Sequence, residues 1–290
     1  MKFVSFDKKQ LNIFGFKFDI KSLVAVSAIY LAAIILLLGL SMFGIDVSWY
    51  GVMVGTAFLL SIVVTSHFCE YRGLSPEFPY DLIFWIFPFA MVGARLHYCF
   101  CNFHLFKDNL VKILYIWDGG VAVHGGILGG LVGLVLCCLV SKNKVLNTMD
   151  SVVPALALGQ CIGRVGCVFG ECCYGTLVTN DIFKWIPLSV PVGNEWHFAS
   201  NLYEGIFDFI NFIILTIICR KNKTAGYPTF VYLIIYGFVR FFVEMTRDNS
   251  QIMRVFGMPV AQIISVMIFI IGVTGLVTLM VVNNKKKNNQ

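Results

Sequence analysis

Residues 261–282 read AQIISVMIFIIGVTGLVTLMVV, a run without a charged side chain that ends on Asn283, Asn284 and the triplet Lys285 to Lys287. A helix rises about 1.5 Å per residue, so this run is long enough to cross a hydrocarbon core roughly 30 Å thick. Working back along the chain, seven further apolar runs of spanning length can be drawn: 23–43, 50–68, 82–101, 121–140, 151–169, 202–219 and 227–245. They occupy most of the 290 residues and leave no room for a separate globular domain. Composition agrees: the chain is 58% hydrophobic and 13% charged, with a mean hydropathy of +0.80, against about 25% charged in a soluble domain. The pattern predicts an all-α polytopic membrane protein with eight spans and excludes an ordinary cytosolic enzyme. The net charge of +6 therefore belongs to membrane topology and does not call for a nucleic-acid partner.

Orientation follows from the basic residues, because cytoplasmic segments carry the excess of Lys and Arg. With the N-terminus inside, Lys2, Lys8, Lys9, Lys17, Lys21, Arg72, Lys142, Lys144, Arg220, Lys221, Lys223 and Lys285 to Lys287 all face the cytoplasm. Lys107, Lys112, Lys184, Arg247 and Arg254 face outward, and Arg95, Arg164 and Arg240 lie within spans. Both termini are then cytoplasmic, and the longest loop, about 170–201, faces out. Two parts are expected: 1–44, a basic N-terminus with a membrane anchor, and 45–290, a seven-span body. The anchor's apolar run is too long for a signal-peptide core and no small-residue cleavage site follows it.

A charge inside the membrane costs several kcal/mol and marks a functional site by default. Arg164 and Arg240 each fall 13 positions into their spans, roughly 20 Å from the cytoplasmic edge, so both guanidinium groups should lie at one depth in the outer half. Two planar donor forks at one depth suit a phosphate. Tyr236, Arg240 and Glu244 follow at i, i+4 and i+8 and share a helical face, with Arg247 three further on. Glu244 can serve as a partner that holds Arg240, so a purely structural ion pair stands beside the phosphate reading. His124 opens the fourth span from the outside, between the glycine pairs Gly119-Gly120 and Gly125-Gly126 that would let a headgroup approach the backbone. Gly125, Gly129 and Gly133 recur every fourth position, as do Gly126 and Gly130, which is a close helix-packing pattern. Tyr50 begins its span at the outer end beside Trp49, where an interfacial aromatic belt also accounts for both.

Ten cysteines are too dilute for a disulfide scaffold, and Cys137, Cys138, Cys161 and Cys219 sit inside apolar runs as small hydrophobes. Their spacing matches no metal-ligand pattern, so neither a metal nor a cofactor is expected.

The run Gly163-Arg164-Val165-Gly166-Cys167-Val168-Phe169-Gly170-Glu171-Cys172-Cys173-Tyr174-Gly175 resembles the signature of bacterial phosphatidylglycerol:prolipoprotein diacylglyceryl transferases. Further fragments agree in order: Trp49-Tyr50-Gly51, Gly93-Ala94-Arg95, Gly119-Gly120 with His124-Gly125-Gly126, Leu202-Tyr203-Glu204, Tyr236-Gly237 with Arg240-Phe241 and Glu244, and Gln262. The likeness covers about residues 45–280. It implies transfer of the diacylglyceryl group from phosphatidylglycerol to the lipobox cysteine thiol of a preprolipoprotein, the first step of bacterial lipoprotein maturation, with glycerol phosphate released. It further implies a multi-pass protein of the bacterial cytoplasmic membrane with its site toward the outer leaflet. On that likeness His124, Arg240, Glu244 and Tyr50 are the catalytic candidates, with His124 the first choice for base and Glu244 the second. Arg164, Arg240, Gly119, Gly125 and Tyr236 are the candidates for phosphatidylglycerol. Cys172 and Cys173 are expected to be background, so that serine variants keep activity. Three features depart from the family pattern: the span 23–43, Glu171 in the signature, and His197-Phe198-Ala199-Ser200-Asn201 where His-Pro is usual. They keep a divergent paralogue with another lipid substrate in view. An anion transporter fits less well, since no paired half-helices or internal repeat appears.

Overall fold

A computed structural model describes residues 4–7, 10–13, 16–19, 39, 48–75, 77–107, 109–115, 119–255 and 257–288. The span expected over 23–43 lies outside the described residues. The chain divides into two compact units, Met1–Val52 and Met53–Gln290. The first contains a three-stranded antiparallel meander, β1 (Val4–Asp7), β2 (Gln10–Ile13) and β3 (Phe16–Asp19), in the order β1-β2-β3. Its register sets Phe6 against Leu11 and Leu11 against Phe18, in alternation with the row Ser5, Asn12 and Lys17. That period of two is a strand signal, which a reading focused on spans and basic residues passes over.

Among the described residues seven helices are long and apolar enough to cross a membrane: α1 (Trp49–Tyr71), α2 (Phe78–Cys101), α3 (Val123–Ser141), α4 (Val145–Phe169), α5 (Ser200–Lys221), α6 (Tyr227–Glu244) and α7 (Val260–Asn288). This is a multi-pass membrane protein. Leu59, Phe84, Phe100, Ile127 and Ile271 are left exposed, an arrangement that lipid makes favourable and water does not. Two short hairpins interrupt the helical order, β4 (Ser189–Val192) with β5 (Glu195–Phe198), and β6 (Arg254–Val255) with β7 (Met258–Pro259).

Helices α2 and α3 cross antiparallel on glycine. A β-carbon added at Gly125 would collide with the Gly93 carbonyl, one at Gly129 with the Phe89 carbonyl, and one at Gly133 would lie 2.6 Å from the Trp85 carbonyl. The four-residue glycine spacing is thus a packing face, where the absence of side chains lets backbones touch and gain dispersion contacts. Gly237, Gly272 and Gly275 bring α6 and α7 together in the same way. Cys137 and Cys138 pack as apolar groups with Cys69, Phe78, Leu82 and Leu134, and Cys219 is fully buried.

Helix α4 starts at Val145, six residues before the expected boundary of its span, and carries Asp150 in its second turn. Its carboxylate accepts from the Gly226 N–H at 2.7 Å, the Thr229 N–H at 3.0 Å and the Thr229 hydroxyl at 2.6 Å. It also pairs with Arg72 at 3.3 Å. The first turn of α6 carries Pro228 and no side-chain cap of its own, so Asp150 satisfies N–H groups that would otherwise be orphaned. This caps α6 from α4 and fixes the two helices level with each other. Arg164 and Arg240 then lie equally far along parallel helices.

The glycine geometry makes a specific prediction. Gly129→Ala should lower the stability of the detergent-solubilised protein by about 1–3 kcal/mol, since the collision is with backbone. Gly126→Ala, whose added carbon would sit 3.5 Å from Ala94 Cβ, should change it by less than about 0.5 kcal/mol. Thermal or denaturant unfolding of the two variants side by side checks the contrast.

Candidate active site

Beyond the Asp150 anchor, α4, α5 and α6 converge on one carboxylate. Glu204, in the first turns of α5, is 1% exposed and receives Arg164 of α4, Arg240 of α6 and Arg247 just past the end of α6. Arg240 stands 3.4 Å and Arg247 3.0 Å from its Oε2, while Arg164 takes Oε1. Glu244 pairs with Arg240 at 2.9 Å and with Arg247 at 3.7 Å. Three guanidinium groups therefore share two carboxylates inside a low-dielectric bundle, where uncompensated charge is expensive. Tyr236 lies within electrostatic reach of Glu204, Arg240 and Arg164 and stacks on Tyr232, with ring centroids 5.7 Å apart. Tyr232 in turn donates to Gln160 Oε1 at 3.0 Å.

Glu204 begins a polar stripe on α5 that continues through Asp208 and Asn211, one turn apart and both buried. Asp208 Oδ2 and both amide atoms of Asn211 have no hydrogen-bond partner among the described residues. The intramembrane-charge argument singles out cations here, although Glu204 and Asp208 lie inside the same expected span 202–219. Counting anions with equal weight brings them forward from sequence alone. Arg247, assigned above to an outside segment, is instead buried in the cluster.

Arg247 is held there by the segment that follows α4. Gly175 and Arg247 form an antiparallel bridge, Thr176 N–H donates to the Thr246 carbonyl at 3.1 Å, and Gly175 N–H donates to the Phe198 carbonyl at 2.8 Å. His197 takes part through the Gly175 carbonyl, 3.0 Å from its Nδ1, and through Tyr174, whose ring centroid is 4.5 Å away. The residues 197–201, which depart from the family's usual His-Pro, thus close this part of the loop on the charge cluster.

The end of α4 carries its own device. Cys172 N–H bonds to the Cys167 carbonyl at 3.0 Å and Glu171 N–H to the Val168 carbonyl at 3.3 Å, the paired bonds of a Schellman motif. That motif wants a left-handed residue where Glu171 stands, with φ at +45°; Cys173 follows at +60°. Each such non-glycine residue costs of order 1–3 kcal/mol. The Glu171 carboxylate accepts from Gly193 N–H at 3.2 Å, tying the turn to the β4–β5 hairpin. The turn folds Cys172 and Cys173 back on Cys167, so that the three sulfur atoms all lie within 4.8 Å of one another. Hydrogen bonding from the Cys167 thiol holds the Cys173 thiol well below its ordinary range, with Arg247 and Arg164 acting in the same direction. The sequence spacing gave no sign of this cluster.

His124 lies elsewhere. It is exposed in the first turn of α3, its ring centroid 6.2 Å from that of His97 on α2, and among the described residues it makes no hydrogen bond to the arginines. Gly125 beside it is buried in the α2–α3 crossing. Gly119 and Gly120 adopt φ of +79° and +71°, and Arg95 gathers their carbonyls with those of Lys112 and Ile113. Arg95 is therefore a clamp on the segment leading into α3. Tyr50 stands exposed at the start of α1, in the N-terminal unit.

Residues 38–278 match the family model described as prolipoprotein diacylglyceryl transferase. This chain belongs to that family. A phosphatidylglycerol–prolipoprotein diacylglyceryl transferase of Finegoldia magna is 34% identical over 234 residues, which cover 80% of this chain and 91% of the relative. Proteins of the same name from Halalkalibacterium halodurans and Clostridium botulinum are 30% and 31% identical. Their alignments cover 77% and 78% of this chain, and 78% and 90% of those proteins. In this family member, sequence reasoning brings forward four members of the cluster, Arg164, Tyr236, Arg240 and Glu244, and misses the carboxylate at its centre.

If Glu204 balances the cluster, Glu204→Ala leaves buried Arg247 and half-buried Arg164 and Arg240 with Glu244 alone to offset them. Stability in detergent should fall by about 3–5 kcal/mol. An unfolding curve that overlays that of the parent protein would show that the convergence carries no energy.

Proposed function

We propose that the chain transfers the diacylglyceryl group of phosphatidylglycerol to the lipobox cysteine thiol of a preprolipoprotein, with a thioether formed and glycerol phosphate released. The observation that carries this reading is the cluster on Glu204, in which three guanidinium groups face two carboxylates within a set of spanning helices. The excess positive charge matches a lipid phosphate, and the same contacts strengthen as negative charge builds on the departing glycerol phosphate. Arg164 and Arg240 hold the phosphate, Arg247 keeps the cluster cationic, and Tyr236 closes the site on the α6 side. Glu244, engaged by Arg240 and Arg247, orients arginine instead of taking the proton.

His124, exposed and without a charged partner among the described residues, is the proposed base for the client thiol, which is a poor nucleophile until deprotonated. The family likeness assigns Gly119 to the headgroup and Tyr50 to the catalytic set, and Gly125 sets how closely α2 and α3 approach beside Gly119. The distribution of Lys and Arg supports cytoplasmic termini and a site toward the outer leaflet of the bacterial cytoplasmic membrane. The departures at Glu171 and 197–201 have structural employment in the loop, so neither calls for a changed substrate.

Arg164→Ala and Arg240→Ala should each lower transfer from phosphatidylglycerol to a lipobox peptide by about 10²–10³-fold or more while the protein still inserts. Arg240→Lys should recover little, because a point charge does not replace the planar fork. Near-normal rates in either alanine variant would refute the phosphate clamp. His124→Gln should lower kcat by about 10²-fold or more, and a mild effect would return His124 to a packing role.

A further inference from the structure

The mechanism so far uses none of the three thiols gathered at the end of α4. We propose that Cys167, Cys172 and Cys173 bind a zinc ion as thiolates and leave its fourth position to the client cysteine. The proposal rests on the transferase reading and supplies the step that reading leaves weakest, activation of the attacking thiol.

The geometry fits the ion. Zinc–sulfur bonds of about 2.3 Å place the sulfurs of a tetrahedral site about 3.8 Å apart, and the three sulfur atoms here already lie within 4.8 Å of one another. Neighbouring residues in regular backbone direct their side chains apart, whereas the left-handed conformation of Cys173 turns its thiol to the side of Cys167 and Cys172. Structural zinc sites close with four protein ligands, and sites that do chemistry keep three and an open position. Among the described residues three sulfur ligands come together here and no fourth His, Cys, Asp or Glu joins them. Cys167 is buried while Cys172 and Cys173 are half-buried, so the cluster is walled on one side and accessible on the other. Three thiolates and a divalent ion carry one net negative charge, the sign that a neighbouring guanidinium group offsets. Arg164, on α4 with Cys167, reaches Glu204, which sets the thiol cluster beside the phosphate clamp and so places nucleophile and leaving group next to each other.

A thiol that coordinates zinc is deprotonated outright. The client thiol would lose its proton to water as it binds, and its sulfur would attack the glyceryl carbon that bears the phosphate. One S–C bond forms as one C–O bond breaks, and the bonding pair departs with glycerol phosphate onto the arginines. No electrons are gained or lost overall. The thioether product is a weaker ligand than a thiolate and leaves the open position.

The test uses the full-length protein, purified in detergent with reductant and zinc. Metal analysis should find about one zinc per chain, falling at least about tenfold in Cys167→Ser and Cys173→Ser. Should those variants fail to fold, the parent protein exchanged with cobalt gives an independent readout. Its d–d bands should shift on adding a lipobox peptide and stay still with the peptide whose cysteine is serine. Chelation should reduce peptide-dependent glycerol phosphate release at least about tenfold and added zinc should restore it. A fully active protein without zinc overturns the proposal, as do cobalt bands indifferent to the cysteine peptide, a site that takes only copper(I), or a disulfide within the cluster. Bound zinc and a shifted cobalt spectrum without any glycerol phosphate release would instead refute the transferase reading and leave the thiol-binding site standing.

Discussion

The carboxylate of Glu204 accepts contacts from three guanidinium groups that arrive from α4, α6 and the residues just beyond α6, and the arrangement of the bundle depends on it. Each arginine alone would be a costly charge in a low-dielectric interior. Bound to a shared carboxylate they become a fixed array whose charge is only partly balanced, even with Glu244 included. The array also constrains the backbone. Arg164 and Arg240 can meet on one residue only if α4 and α6 keep their relative level, and Asp150, which caps α6 from α4, supplies that level at the far end. Between these two polar ties Val153, Ala157, Leu215 and Tyr232 pack together, and Tyr232 donates to Gln160. The bundle is therefore tied at both ends by ion pairs, with apolar packing and a hydrogen bond between them.

A second set of constraints shapes the α2–α3 pair. There the glycine face brings backbones into contact, and Arg95 folds the preceding segment over the helix ends by collecting four carbonyls. His97 and His124 sit together at this junction. One region thus supplies cations and the other an imidazole pair, and each is positioned by a different kind of force. The loop after α4 belongs to the first region, since its bridge to Arg247 is what brings that residue inward.

How much of this is legible in the sequence follows from what each feature requires. Spans show in any run of apolar residues of sufficient length, and all seven described helices stand where such runs lie. The glycine face shows because its period is that of a helix. Arg164, Arg240 and Glu244 show because charge in an apolar run is conspicuous. Glu204 and Asp208 are equally conspicuous and lose out only to an emphasis on cations. Arg247 and the three thiols are different, because their positions depend on how the chain turns after a helix ends. The left-handed conformations of Glu171 and Cys173 leave no periodic trace, and C-x4-C-C becomes a cluster only through a Schellman turn. The N-terminal strands alternate visibly, yet they stand before a long apolar run that dominates any reading by hydropathy.

The role proposed for the cationic cluster is to take a phosphate diester and release a phosphate monoester. Release of glycerol phosphate from phosphatidylglycerol by the purified protein, with and without a synthetic lipobox peptide, tests it most directly. Release should require the peptide cysteine and match, mole for mole, the diacylglyceryl peptide formed. Well-folded protein that binds phosphatidylglycerol and releases nothing in the presence of the peptide would contradict it.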